Sequence, residues 1–381
     1  MSKTYCAFPW TNLYVANFNQ MMPCCNFTDN FTSLESPNDF FHSETMNKIR
    51  EDMLAGKEIA GCENCYFNER AGVHSEREKA NEIYGRVEIP KLRALDIMLD
   101  NVCNLKCRMC NSSYSHSWKN DEFALYGRNI DTPKYLKNTY IDVVDLHDID
   151  RIVLQGGEPF YSPQFEKILD KLNEQNTLEN VELWISTNAT IIPNKKIVDY
   201  LKRFRSVSIS LSLDAYDKLF EYIRKNADFE KVKTVLDFFH ELANETIDFS
   251  INCTVTIYNV NYIDEIKEYY QKNYPKFHWH ENCLVQPEEL CISNTPQDFR
   301  DQIAKKTKSE TVQNVIQTPG KDSFKYFVYY TETLDKIRKD NLEEANPWLC
   351  NYIQNYKVHA TTEEVKDFYD NMFKTYWTLD E

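Results

Sequence analysis

The sequence predicts an α/β chain built on a partial (β/α)6 TIM-like barrel, with a cysteine-rich segment ahead of it and a helical segment behind it. Three observations carry this. From Pro90 onward, short β-branched runs alternate with longer amphipathic stretches, the pattern of parallel strands joined by right-handed crossovers. The runs number six, short of the eight that close a TIM barrel, so the sheet is expected to stay open. Eight of the twelve cysteines fall within the first 110 residues.

The expected strands are Arg93–Leu99, Arg151–Gln155, Val181–Ser186, Val207–Leu213, Phe249–Tyr258 and Phe277–Val285. Between them, apolar residues at helical spacing predict helices near Ser112–Tyr126, Tyr135–Leu146, Gln164–Asn173, Asn194–Phe204, Glu230–Ala243 and Ile263–Gln271. Ahead of Pro90 periodicity is weak, apart from a helix near Glu44–Leu54 marked by Met46, Ile49, Met53 and Leu54. Past Pro287 strands thin out, and aromatic residues such as Phe324, Phe327 and Tyr330 recur at helical spacing. The expected domains are residues 1–90, 91–290 and 291–381.

Composition narrows the partners. Of the 381 residues, 42% are apolar and 27% charged, an ordinary globular balance. Forty-four Lys+Arg against 59 Asp+Glu leave a net charge of −15, which disfavours nucleic acid and anionic membrane surfaces. No apolar run approaches the ~20 residues that span a bilayer. The start, MSKTYCAFPW, lacks a basic flank and apolar stretch, so no export signal is read and a cytoplasmic location is expected. In a reducing compartment, clustered cysteines are metal ligands or reactive thiols more often than disulfides.

The first expected strand runs into Asp100-Asn-Val-Cys103-Asn-Leu-Lys-Cys107-Arg-Met-Cys110. Three thiolates at spacings of four and three on one loop can wrap a compact metal centre and leave a coordination position open. At this cysteine content a chance match is about a one-in-a-hundred event, so the spacing is informative. The alternatives are three buried loop thiols or a zinc loop closed by His116. After the second strand comes Gly156-Gly157-Glu158-Pro159 in a chain with 8 glycines. Paired glycines let backbone approach a ligand, and a carboxylate suits an ammonium; alone, the segment also reads as a strand-to-helix turn.

Cys103, Cys107 and Cys110 resemble the C-x3-C-x-φ-C signature of the radical SAM superfamily. The resemblance implies a [4Fe–4S] cluster that binds S-adenosylmethionine and cleaves it to a 5′-deoxyadenosyl radical, which takes a hydrogen atom from substrate. It also implies a low-potential electron donor such as a flavodoxin or ferredoxin. Met109 stands where the family usually has an aromatic residue against adenine; its thioether can make a similar contact. Gly156, Gly157 and Glu158 look like the family's GGE motif, which holds the cofactor ammonium. Ser212, in Ser212-Leu-Asp214, and Arg224 on the helix that follows match positions that bind the cofactor; Ser186-Thr187-Asn188 resembles a further segment of the family.

A second set of cysteines precedes the barrel: Cys6, Pro23-Cys24-Cys25, and Cys62-Glu-Asn-Cys65. Cys6, one of Cys24 or Cys25, Cys62 and Cys65 make four thiolates, suited to structural zinc or an iron–sulfur cluster. The C…PW…PCC…CxxCxxxExxGxxSxR pattern of residues 6–77 resembles the SPASM/Twitch group, in the branch with its auxiliary cluster at the N-terminus. That implies a second [4Fe–4S] cluster, with Cys24 rather than Cys25 as ligand. Asn19 replaces a frequent glycine, and Tyr66, Glu69 and Arg77 either touch substrate or brace the cluster. The stretch from Tyr329 to Arg338 also looks like that branch. Cys253, Cys283, Cys291 and Cys350 stand alone and read as small hydrophobes. The implied substrate is a peptide or protein side chain, with a sugar or small metabolite as the alternative. A non-catalytic iron–sulfur or zinc module is the reading of another class.

Overall fold

The computed structural model describes residues 3–16, 20–29, 31–32, 35–70, 74–126 and 139–376. The strands are β1 Asn12–Val15, β2 Gln20–Met22, β3 Phe31–Thr32, β4 Ala94–Met98, β5 Lys106–Cys107, β6 Arg151–Gln155, β7 Glu182–Thr187, β8 Ser206–Ser212, β9 Arg224–Lys225, β10 Ile247–Val255 and β11 His278–Cys283. All six expected strands form, and in chain order they lie side by side as β4-β6-β7-β8-β10-β11, every pair parallel. The sheet does not stop there. β1 pairs parallel with β4, Asn12 opposite Ala94, and β2 and β3 extend it antiparallel to nine strands. The first ninety residues therefore continue the barrel sheet.

Alternation places one face of β6, β7, β8 and β10 in the core. In β8, Val207, Ile209 and Leu211 are buried, while Ser208, Ser210 and Ser212 are half-buried on the other face. β10 repeats this with Phe249, Ile251 and Cys253 against Ser250, Asn252 and Thr254. Helices cover the apolar face. Pro163–Glu174 starts at Ser162, whose hydroxyl accepts from Gln164 N, with Pro163 at the first helical position. It buries Phe165, Ile168, Leu169 and Leu172, each worth about 1.5–3 kcal/mol. Among the described residues no helix is long and apolar enough to cross a membrane.

Three expectations need correction. The helix near Ser112–Tyr126 is a 3-10 turn at His116–Trp118 followed by helix Lys119–Tyr126. Residues 112–115 stay irregular because Asn101 Nδ2 binds Ser112 O and the Glu122 carboxylate takes Ser112 N–H. Of the helix near Tyr135–Leu146, residues 135–138 lie outside the described residues, and the rest holds a 3-10 turn, Thr139–Asp142. Arg224 is not on a helix: helix Asp217–Ile223 ends just before it, and β9 pairs antiparallel with β5, Arg224 opposite Cys107. Asn19 and Gly72 also lie outside the described residues.

Candidate functional site

The loop after β4 carries Cys103, Cys107 and Cys110, and hydroxyl and indole groups of the next turn fasten its backbone. Ser117 Oγ donates to Cys103 O at 2.8 Å, Ser115 Oγ to Leu105 O at 2.6 Å, and Trp118 Nε1 to Cys107 O at 2.9 Å. Cys103 N–H donates to His116 Nδ1 at 3.2 Å, so that ring nitrogen serves the loop backbone. Burial pushes the Cys103 thiol up to about 12, and the Cys107 charge adds to it. Burial also holds Cys110 well above its ordinary value, with Cys107 and Cys103 raising it further, so the three sulfurs feel one another. Crowded, desolvated thiolates need a positive partner, which a metal centre supplies. Among the described residues, no three His, Cys, Asp or Glu converge on a single ion. A cubane asks for something else, one thiolate on each of several irons. Three cysteines on one loop fit such a centre with one iron left open.

Gly156 and Gly157 are required by this loop. Gly156 has φ +132, and a Cβ there would meet Asp100 O at 2.6 Å; one on Gly157 would meet Val102 O at 2.3 Å. Without side chains, Gly157 N–H and Glu158 N–H bond to Asp100 O and Val102 O at 2.8 and 2.9 Å. The end of β6 is thus stitched to the loop just before Cys103. Glu158 is buried and accepts from Thr187 Oγ1 and Asn188 N, both at 2.6 Å, and from Phe160 N at 3.2 Å. Burial pushes its carboxyl up to about 7 against those bonds. Asn188 Nδ2 lies 3.8 Å from Cys103 Sγ.

Arg224 reaches the loop from the other side, its Nη1 3.7 Å from Cys107 Sγ. Asp214, itself fully buried, grips Arg224 at 2.7 and 2.8 Å and accepts from Thr254 N. Burial works against the Arg224 charge, but Asp214 and Cys107 hold its pKa above the ordinary value. Ser212 is half-buried at the end of β8, opposite Asn252. Met109 is half-buried and packs on the core. The structure therefore brings together the three cysteines, Gly156–Glu158 and Arg224.

One part of the site was missed in the sequence. Arg108, inside the cysteine triplet, is fully buried, and its guanidinium meets Asp335 and Asp340, the latter at 2.9 Å. It also lies 3.7 Å over the Tyr222 ring. Tyr330 donates to Arg108 O at 2.6 Å, and Arg338 bonds Asp121, which also holds Lys106. Helix Phe324–Arg338 thus clamps the loop. The signal was present in the stretch from Tyr329 to Arg338, but nothing in a single sequence pairs it with residues some 200 positions earlier.

The N-terminal thiols also act on one another. Cys6 precedes the short helix Phe8–Thr11, Cys24 follows β2, and Cys62 and Cys65 lie at the start of helix Glu63–Arg70. Burial pushes Cys6 and Cys62 up to about 12; Cys62 and Cys65 act on Cys6, and Cys6 and Cys62 act on Cys24. Cys25 is exposed whereas Cys24 is half-buried. Gly61 lies against the Phe27 ring, 2.5 Å from a would-be Cβ, and its carbonyl accepts from Thr28 N. Glu69 binds Arg77 and Ser75 Oγ, and Arg77 Nη1 donates to Tyr5 O at 2.7 Å, tying the Cys65 helix to the Cys6 segment. Of the lone cysteines, Cys253 and Cys291 are buried and Cys283 and Cys350 half-buried.

Residues 97–272 match the model of the Radical SAM superfamily, whose members are enzymes. The mostly parallel α/β sheet is consistent with the partial TIM barrel of that superfamily. An uncharacterized protein of Methanocaldococcus jannaschii is 28% identical over 181 residues, 47% of this chain and 58% of that one. The radical SAM cyclopropyl synthase TigE of Paramaledivibacter caminithermalis is 25% identical over 219 residues, 50% of this chain and 46% of that one. The chain thus spans about half the length of these curated relatives. Among solved structures, Streptococcus suis SuiB bound to the precursor peptide SuiA overlaps 85% of this chain and 59% of its own, at 16% identity and a TM-score of 0.38. A likeness this loose says nothing about substrate.

Proposed function

We propose that the chain is a radical SAM enzyme with two [4Fe–4S] clusters, acting by hydrogen-atom abstraction on a peptide or protein side chain. The observation that carries this is the stitching of Gly156-Gly157-Glu158 to the backbone just before Cys103, because it joins a carboxylate to a three-thiol loop inside the region matched to the superfamily. When bound, the first cluster and S-adenosylmethionine together supply a 5′-deoxyadenosyl radical that takes a hydrogen atom from substrate.

The residues divide the work of holding these groups. Cys103, Cys107 and Cys110 hold the cluster. Glu158 accepts from the cofactor ammonium, a charge-assisted bond typically worth ~1.5–3 kcal/mol. Gly156 and Gly157 leave room beside it. Ser212 and Arg224 bind the cofactor's polar groups, with Asp214 fixing the guanidinium. Met109 packs on the adenine. Cys6, Cys24, Cys62 and Cys65 would hold the auxiliary cluster through four thiolates, and such a cluster would supply one-electron transfer. The net reaction is then an oxidation or bond formation. A low-potential donor such as a flavodoxin or ferredoxin would supply the electron, in a cytoplasmic setting. Sugars and small metabolites are the alternative substrates.

Anaerobic reconstitution with iron and sulfide, then S-adenosylmethionine and dithionite, tests this. Formation of 5′-deoxyadenosine supports the enzyme. Its absence from iron-replete protein leaves a non-catalytic iron–sulfur module.

A further inference from the structure

Glu289 lies past the carboxyl end of β11, in the single turn Glu288–Leu290. β4, β6, β7, β8, β10 and β11 are parallel, so this is the side of the sheet that carries the cysteine loop and Gly156–Glu158. Six carboxylates are buried among the described residues: Asp100, Asp121, Glu122, Glu158, Asp214 and Glu289. The first five are satisfied, by Ser162 and Val102 N, by Lys106 and Arg338, by Ser112 N, by Thr187 and Asn188 N, and by Arg224. Glu289 is the exception. It is fully buried, and neither of its oxygens has a hydrogen-bond partner. An unpaired buried carboxylate is costly, so a fold that retains one has something to put against it.

Its surroundings say what. Burial pushes the Glu289 carboxyl up to about 7, and its own backbone N–H and the Tyr369 hydroxyl lie near enough to lower it, although neither completes a hydrogen bond of good geometry. The Tyr126 ring meets the Tyr369 ring edge-on at 4.7 Å. Glu289 acts on the hydroxyls of Tyr126, Tyr330 and Tyr369 alike, and the helix that carries Tyr330 packs against the Glu288–Leu290 turn. Tyr330 also binds Arg108 O, which ties this pocket to the cysteine loop. The charged neighbour that acts on Glu289 is another carboxylate, Glu288. A carboxylate among electron-rich rings, with no cation of its own, matches an ammonium or guanidinium. Such a group offers N–H donors to both oxygens and positive charge to the ring faces. An anion would be repelled, and an apolar group would leave the oxygens unpaired. One wall is helix Thr362–Tyr376, which carries Tyr369 and is held by the half-exposed Lys325–Glu364 ion pair and the Tyr326–Phe368 stack.

We propose that Glu289, with Tyr126, Tyr330 and Tyr369, forms a substrate subsite for a cationic nitrogen group. This rests on the enzymatic reading above and narrows it to substrates bearing an ammonium or guanidinium, a lysine or arginine side chain being the peptide form.

Isothermal titration of the reconstituted full chain with n-butylammonium, n-butylguanidinium and n-butanol tests it. Both cations should bind saturably in the millimolar range and butanol should not. Glu289→Gln, checked for folding by circular dichroism, should weaken the cations by about tenfold or more. If that variant does not fold, Tyr126→Leu removes one ring face and should cost about threefold. No saturable binding by the wild type, or unchanged affinity in the folded variant, overturns the proposal and leaves a carboxyl satisfied by buried water or its own proton. Assay of 5′-deoxyadenosine on the same preparation separates the two readings. Product without cation binding removes the subsite alone; cation binding without product removes the enzymatic reading.

Discussion

The cysteine loop after β4 and the four thiols of the first ninety residues both bury sulfur, but they are finished differently. Around the loop the protein supplies polar and charged groups from every side: Arg224 at Cys107, Asn188 at Cys103, Glu158 behind two bare glycines, and Arg108 locked by Asp335 and Asp340. Around the N-terminal set Phe27 lies on Gly61 and Cys6 and Cys65 are buried, and the cation that acts on Cys6, Cys62 and Cys65, Arg77, is already tied to Glu69 and to the backbone. A centre that must admit and orient a ligand needs groups aimed at that ligand, whereas one that only passes electrons needs enclosure. Three thiols with a polar cradle and four thiols beside a cation already paired within the protein fit those two duties.

Changes to the cysteines should break the comparison most sharply. Replacing Cys103, Cys107 and Cys110 with Ala should lower iron from about eight to about four per chain and abolish 5′-deoxyadenosine. Stoichiometric zinc in the remaining site after iron-replete anaerobic purification would remove the auxiliary cluster from the account. Replacing Cys62 and Cys65, or Cys24, should also leave about four irons, keep cofactor cleavage, and stop substrate turnover.

Glu158→Ala should weaken S-adenosylmethionine by roughly ten- to hundredfold at unchanged iron, measured by equilibrium binding. The pH dependence has a definite sign. Burial pushes this carboxyl up to about 7, so below that pH the neutral form prevails and cannot pair with an ammonium. Affinity should rise as pH climbs to about 7 and then level off; a flat profile would mean the segment is only a turn. Asp335→Asn, which weakens the clamp on buried Arg108 while Asp340 remains, should destabilise the fold by about 1–3 kcal/mol in denaturant titration. The smallest effect belongs to exposed Cys25: Cys25→Ala should be silent in iron content and turnover, and damage there would reassign the ligand from Cys24.

The six barrel strands were legible because each is a β-branched or alternating run, and the cysteine triplet because its spacing is local. Gly156 and Gly157 stood out in a glycine-poor chain, and their reason is the carbonyls of Asp100 and Val102. β1 was not legible: four residues carry little periodicity, and its partner Ala94 is some eighty positions away. Arg224 was expected on a helix and lies instead on a two-residue ribbon against Cys107, which leaves no sequence pattern. The clamp on Arg108 and the unpaired Glu289 are tertiary facts, made by helices that the sequence describes only as amphipathic.

The central claim is that the two sets of thiols do different work. A side-by-side assay of 5′-deoxyadenosine formation, with dithionite and S-adenosylmethionine, tests it on the Cys103/Cys107/Cys110→Ala and Cys62/Cys65→Ala variants, both reconstituted and both checked for iron. The account predicts none from the first and a wild-type rate from the second. Equal loss in both, or cleavage surviving in the first, would contradict it.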